Sequence, residues 1–158
     1  MNILITYTSM TGRNEKIAKY LTDYLEKNNV DVTLEQMIDT DAYEISSYDA
    51  VIVDTYTYND GEVPEEAQDF YEDLEDIDLE RTKFAVLGSS SKGHIHFGRA
   101  VDYFTMQLNS SNGEQVADSV KIDQDPDEDD LKRVQTLGDY VMKSVNYHWL
   151  KSVACELH

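Results

Sequence analysis

Cysteine is nearly missing from this chain: one residue in 158, Cys155. A single thiol forms no internal disulfide, which excludes a small scaffold stapled by bridges. With no activating neighbour in view, Cys155 reads as a plain thiol without a role. Basic residues are also scarce. Thirteen Lys and Arg stand against 32 Asp and Glu, for a net charge of −19. A field of that sign repels nucleic acid and anionic lipid, and it attracts basic protein partners. The same charge also serves solubility. No apolar run is long enough to cross a membrane. The opening MNILITYTSM is apolar only briefly, with no basic stretch before it and no small-residue cleavage site. A soluble cytoplasmic protein is therefore expected.

The apolar fraction of 41% is ordinary for a globular chain, so a packed core is expected. There are no repeats, low-complexity tracts or Pro/Gly/Ser linkers, and the length fits one domain. That domain is expected over residues 1–147, with 148–158 as a C-terminal tail. Strand and helix patterns alternate, as in a parallel sheet with crossover helices. The apolar run at 3–7 is followed by Ile17, Leu21, Tyr24 and Leu25 at helical spacing. Residues 30–37 alternate as an exposed strand would, and 50–56 form a continuous apolar run. Pro64 reads as the first turn of a helix with Ala67, Phe70, Tyr71 and Leu74 on one face. Another continuous run covers 84–88, and a helix is expected from about Phe97 to Asn109. Residues 115–123 read as one mixed strand. The acidic run at 123–130 reads as a loop into a last helix from about Glu128, carrying Val134, Gly138, Val141 and Val145.

Strands buried on both faces read as continuous apolar runs, whereas edge strands read as mixed. The first, third and fourth strands are continuous; the second and fifth are mixed. The order 2-1-3-4-5 puts the mixed strands at the edges. Its ligand crevice lies between strands 1 and 3, at their C-terminal ends.

Three loops should meet there. The first, Thr8 to Asn14, sets hydroxyls and Gly12 at a helix start, where amides and the helix dipole favour a phosphate monoester. An ordinary helix cap would use the same residues. It is not a Walker loop, since no Gly-Lys-Ser/Thr is present. The second, Thr55 to Pro64, combines aromatics with an Asn-Asp-Gly turn, and an aromatic here can stack on a planar ligand. The third, Gly88 to Phe97, is small and polar and holds His94 and His96, which also fit two solvated loop residues.

Together these loops resemble those of the short-chain flavodoxins, and the likeness covers nearly the whole chain. The family's phosphate loop, Thr/Ser-x-Thr/Ser-Gly-Asn-Thr, reads here Ser9-Met10-Thr11-Gly12-Arg13-Asn14. The segment TYTYNDGEVPEEAQDFYEDL at 55–74 is similar to that of Gram-positive flavodoxins, where Thr-Tyr-Thr-Trp precedes an Asp-Gly turn. The third loop keeps Gly88 at its start and Phe97 and Ala100-Val101-Asp102 beyond. The departures are local. Arg13-Asn14 replaces Asn-Thr, Tyr58 the stacking Trp, His94 the stacking Tyr, Ser90-Ser91 the Gly-Asp pair, and Gly98 a Cys.

The resemblance implies an α/β, flavodoxin-like three-layer doubly wound sandwich with a five-stranded parallel sheet, and non-covalently bound FMN as cofactor. Ser9, Met10, Thr11, Gly12, Arg13 and Asn14 would hold the phosphate. Tyr58 and His94 would flank the isoalloxazine, within a middle loop of Thr55, Tyr56, Thr57, Asn59, Asp60 and Gly61. The Asn59–Asp60 peptide would face flavin N5, the backbone of Ser89, Ser90 and Ser91 would bond the pyrimidine edge, and Phe97 and Gly98 would complete the third loop. The implied function is low-potential electron transfer rather than enzymatic turnover. The partners would be redox proteins with basic docking surfaces: a flavodoxin reductase as donor and a low-potential acceptor enzyme. No nucleic acid, membrane or metal is expected, and the protein should be monomeric. The departures at 13–14 and 90–94 motivate one alternative, an interaction protein on this scaffold with weakened or lost FMN binding. A flavin reductase would need an open substrate pocket that the sequence does not display. A receiver domain would place its phosphoacceptor at Asp54, but would need an acidic pair where Thr8-Ser9 stands.

Overall fold

The computed structural model describes residues 1–93 and 95–156. Its elements run β1 (Asn2–Tyr7), α1 (Arg13–Lys27), β2 (Asp31–Gln36), β3 (Ala50–Tyr56), α2 (Gln68–Leu74), β4 (Lys83–Ser90), α3 (Arg99–Ser110), β5 (Glu114–Gln115), β6 (Val120–Asp123) and α4 (Glu128–Glu156). Short 3-10 turns at Met37–Asp39, Ala42–Ser47 and Glu65–Ala67 bridge β2 to β3 and β3 to α2.

The sheet order is β2-β1-β3-β4-β5, with β6 also paired to β4. Every named pairing is parallel. The three continuous apolar runs are the three central strands, and each feeds both cores. Ile3, Ile5, Ile52, Ala85 and Leu87 pack beneath α1 and α4. Leu4, Val51, Val53, Phe84 and Val86 pack on the opposite face, against α2 and α3. Gly138 lets α4 approach α1 closely: a Cβ there would stand 3.0 Å from Leu21 Cδ1.

Three expectations need correcting. Residues 115–123 do not form one strand. The ladder breaks at Val116–Ser119, so the edge is two segments, β5 on the start of β4 and β6 on its end. Ala117, Asp118 and Ser119 have little preference for a pleated surface. Pro64 does not open an α-helix. Its ψ of 145° is extended, it precedes the 3-10 turn, and α2 begins at Gln68. The helix expected from Phe97 starts at Arg99, because Gly98 takes a left-handed φ of 65° just before it. Helix α4 runs unbroken from Glu128 to Glu156, across residue 147.

The acidic run at 123–130 has a structural use. Asp127 accepts the Asp130 N–H (2.8 Å), and Asp130 accepts the Asp127 N–H (3.1 Å), a reciprocal cap on α4. Glu128, Asp129 and Asp130 fill its first turn, where the helix dipole favours negative charge.

Gly88 on β4 has no room for a side chain between β3 and α3. A Cβ there would sit 2.0 Å from the Thr55 carbonyl oxygen and 2.7 Å from Val101 Cγ2. Gly88→Ala is expected to destabilise the protein by about 1–3 kcal/mol through overpacking, read from urea unfolding midpoints.

Candidate functional site

The three loops meet at the C-terminal edge of the sheet. The chain leaves β1 toward the α1 face and leaves β3 toward the α2 face, so the two connections diverge at the switch point where doubly wound sheets take ligands.

The first loop is closed by short contacts. Thr8 N–H donates to the Asp54 carbonyl (3.0 Å), and Gly12 N–H donates to Ser9 Oγ (3.0 Å). Gly12 takes φ 86°, and a Cβ on it would meet nothing within 4 Å, so conformation rather than crowding requires glycine. Met10 and Thr11 are exposed. The first bond of α1 runs from Lys16 N–H to the Gly12 carbonyl, leaving the N–H groups of residues 13–15 without intrahelical partners. That is an anion cradle. Arg13 heads the helix, and its Nε donates to Asp125 (3.1 Å). Asn14 faces away from the cradle: its side chain turns into the protein, donates to Asp54 Oδ1 (2.8 Å) and accepts from Ser89 Oγ (2.6 Å).

The second loop turns tightly. Tyr58 and Glu62 exchange backbone bonds of 2.8 and 2.7 Å, and Asn59 sits at φ 48°, a left-handed conformation Asn tolerates. Gly61 is required by contact, since its Cβ would fall 2.7 Å from Arg99 Cδ and 2.8 Å from His96 Cβ. The second loop therefore seats against the third. Thr57 Oγ1 accepts the Ala100 N–H (3.2 Å) at the start of α3. Tyr58 is 39% exposed, an available flat ring. Asp60 lies exposed in the turn. Thr55 and Tyr56 are buried beneath the loop as supports rather than at its surface.

In the third loop Ser89 and Ser90 are buried and Ser91 is half-buried. The loop is tied to the end of β6: Gln124 N–H donates to the Ser90 carbonyl (2.8 Å) and Lys92 N–H to Asp123 (3.1 Å). Phe97 is half-buried, with the Lys92 ammonium 5.9 Å from its ring centre. The Lys121 stem fills the space over Gly98, and its ammonium binds Asp102 (2.7 Å). His94 lies outside the described residues.

Sequence reasoning missed a hydrogen-bonded acid beside this crevice. Glu66 Oε1 accepts from Tyr56 OH (2.6 Å) and Thr8 Oγ1 (3.0 Å), joining the first loop to the segment after the second. Burial would raise the Glu66 carboxyl, but bonds from Tyr56, its own N–H and Thr8 outweigh burial and hold it below the ordinary glutamate value. Burial, and then the bond to Glu66, push the Tyr56 phenol far up. The available signal was an acid two residues past Pro64, within reach of an aromatic at the strand end. Asp54, where a receiver domain would carry its phosphoacceptor, is the buried partner of Asn14.

An anion cradle at a helix start, a flat ring on the neighbouring loop and a backbone-rich third loop stand together on one edge of a doubly wound sheet, the arrangement a flavin nucleotide would need. Comparison with known proteins agrees. The Flavodoxin family pattern matches residues 5–135. "Probable flavodoxin 1" of Bacillus subtilis is 36% identical over 127 residues, covering 80% of each chain. The flavodoxin of Maridesulfovibrio salexigens is 33% identical over 81% of this chain and 90% of its own. Among solved structures, a flavodoxin from Streptococcus pneumoniae TIGR4 superposes with a TM-score of 0.88 at 35% identity, over 91% of this chain and 99% of that one. Oxidised flavodoxin 2 from Bacillus cereus superposes with a TM-score of 0.86 at 37% identity, with the same coverage. The chain belongs to the flavodoxin family, FMN-binding proteins of electron transfer.

Because Glu66 titrates lower when folded, its bonds stabilise the protein above the ordinary glutamate pKa, and that gain disappears as pH falls through the folded value. Tyr56→Phe is expected to cost about 1.5–3 kcal/mol near neutral pH, the range for a hydrogen bond to a charged group. The cost should shrink on acidification, as urea titrations of both proteins near neutral pH and again below the folded pKa of Glu66 would record.

Proposed function

We propose that this protein shuttles electrons between two redox proteins through FMN held by the loops at 8–14, 55–61 and 88–98, within a flavodoxin domain over residues 1–147. FMN supplies the redox chemistry, and the protein supplies position and field. In this reading the Gly12 turn and the first amides of α1 bind the phosphate. Tyr58 covers one flavin face and His94 the other. The turn at Asn59–Asp60 sets a peptide toward flavin N5, and the Ser89–Ser91 backbone meets the pyrimidine edge. The observation that carries the proposal is that all three loops stand on one edge of the sheet, the second seated on the third by Thr57–Ala100 and by Gly61 against His96, and the first tied to the third by Asn14–Ser89.

The role is that of a carrier, not a reductase with its own substrate. Among the described residues no helix is long and apolar enough to span a membrane, and we place the protein in the cytoplasm as a monomer. The charge of −19 suits encounter with basic docking faces on a reductase donor and a low-potential acceptor.

Apoprotein mixed with FMN should quench flavin fluorescence at one equivalent, and a protein that leaves it unquenched would refute the carrier reading. Reduction by a flavodoxin reductase should slow severalfold as ionic strength rises from about 0.01 to about 0.15 M, where the screening length shrinks from about 30 to about 8 Å. A rate indifferent to salt would refute the charged docking face.

A further inference from the structure

Asp54 is a carboxyl in the wrong place for an ordinary solvated acid. It lies near the end of the central strand β3, wholly buried. On the adjacent strands its register partners are Tyr7 and Leu87. Its Oδ1 accepts from Asn14, and its Oδ2 is buried with no hydrogen-bond partner among the described residues. Its backbone carbonyl accepts from Thr8 N–H. One residue thus holds both ends of the phosphate loop, Thr8 through the main chain and Asn14 through the side chain. Ser89 on β4 grips the same Asn14 from the other side, donating to its carbonyl oxygen.

The consequence lies above the sheet. Asn14 is the second residue of α1, so its backbone N–H belongs to the helix end that forms the cradle. With both ends of its side-chain amide engaged, its backbone is held in one orientation. We propose that Asp54 is a positioning residue for the FMN phosphate, pinning the phosphate loop at both ends so that the first amides of α1 are preset for an anion. This rests on FMN as the cofactor.

The chemistry suits that task. Burial pushes the Asp54 carboxyl well above the usual carboxylate range, and the Asn14 bond offsets only part of the effect. No charged neighbour contributes to that shift: β1 brings Tyr7, β4 brings Leu87 and Ser89, and α1 brings Asn14. Burial thus favours the uncharged form of Asp54. In that form it holds Asn14 without setting a second negative charge beneath a bound phosphate, where an ionised carboxylate would repel it.

The test compares FMN with riboflavin, which lacks the phosphate. Dissociation constants of both flavins are measured by fluorescence quenching on wild-type, Asp54→Ala and Asp54→Asn apoproteins. Asp54→Ala should weaken FMN by about tenfold or more, the cost of leaving a buried partner unpaired, and leave riboflavin nearly unchanged. Asp54→Asn keeps an acceptor for Asn14 and should restore FMN binding. Equal losses for both flavins, unchanged binding of both, or an Asn variant as weak as the Ala variant would overturn the proposal. Should Asp54→Ala fail to fold, infrared spectra of wild-type protein carrying labelled aspartate decide. A neutral-acid carbonyl band, missing in Asp54→Asn and shifted by FMN but not by riboflavin, supports the proposal. A carboxylate band, or one shifted equally by both flavins, overturns it. A wild-type protein that takes up no FMN would instead refute the cofactor reading itself.

Discussion

The functional edge depends on β1 and β3 lying side by side while their outgoing chains depart toward opposite faces of the sheet. After β1 the chain turns into α1, over the core built from Ile3, Ile5 and Ile52. After β3 it turns the other way, into the 3-10 turn and α2, over Leu4, Val51 and Val53. Parallel strands end on the same edge, so diverging connections leave a gap there that no helix fills. The sheet is parallel because helical crossovers join its strands, and it is apolar through its centre because helices cover both faces. The crevice is therefore a topological product of the core.

Polar contacts then give that gap its chemistry. Asp54, Asn14 and Ser89 tie α1 to β3 and β4 beneath the phosphate loop. On the opposite face Glu66 ties Tyr56, at the end of β3, to Thr8, at the start of the phosphate loop. The first group is wholly buried; in the second, Thr8 and Tyr56 are buried and Glu66 is half-buried. They bracket the start of the first loop, so its position is fixed from both sides of the sheet. Much of the negative charge sits elsewhere, and part of it is structural, as in the Asp127–Asp130 cap of α4.

What could be read from the residues follows from range. The central strands were legible because burial on both faces demands unbroken apolar runs. The phosphate loop was legible because Gly12 and its hydroxyls act within a few residues of each other. The split of the fifth strand was not, since β5 and β6 are defined by where they meet β4 and not by their own composition. Nor was the inward turn of Asn14. Its partners lie 40 and 75 residues away, and an amide at a helix start serves a ligand or a core equally well. One clue was present: a charged residue inside the apolar run AVIVDTY needs a buried partner. Glu66 was hidden for the same reason, its partners Thr8 and Tyr56 lying on two different strand ends.

The central claim is that three loops on one edge of the sheet form a single FMN site. Hydrogen exchange of backbone amides, with and without FMN, tests it most directly. The account predicts that added FMN protects amides in residues 9–16, 57–62 and 88–98, and leaves α2 and the outer face of α3 unchanged. Protection confined to one loop, or concentrated away from the C-terminal edge of β1 and β3, would contradict it.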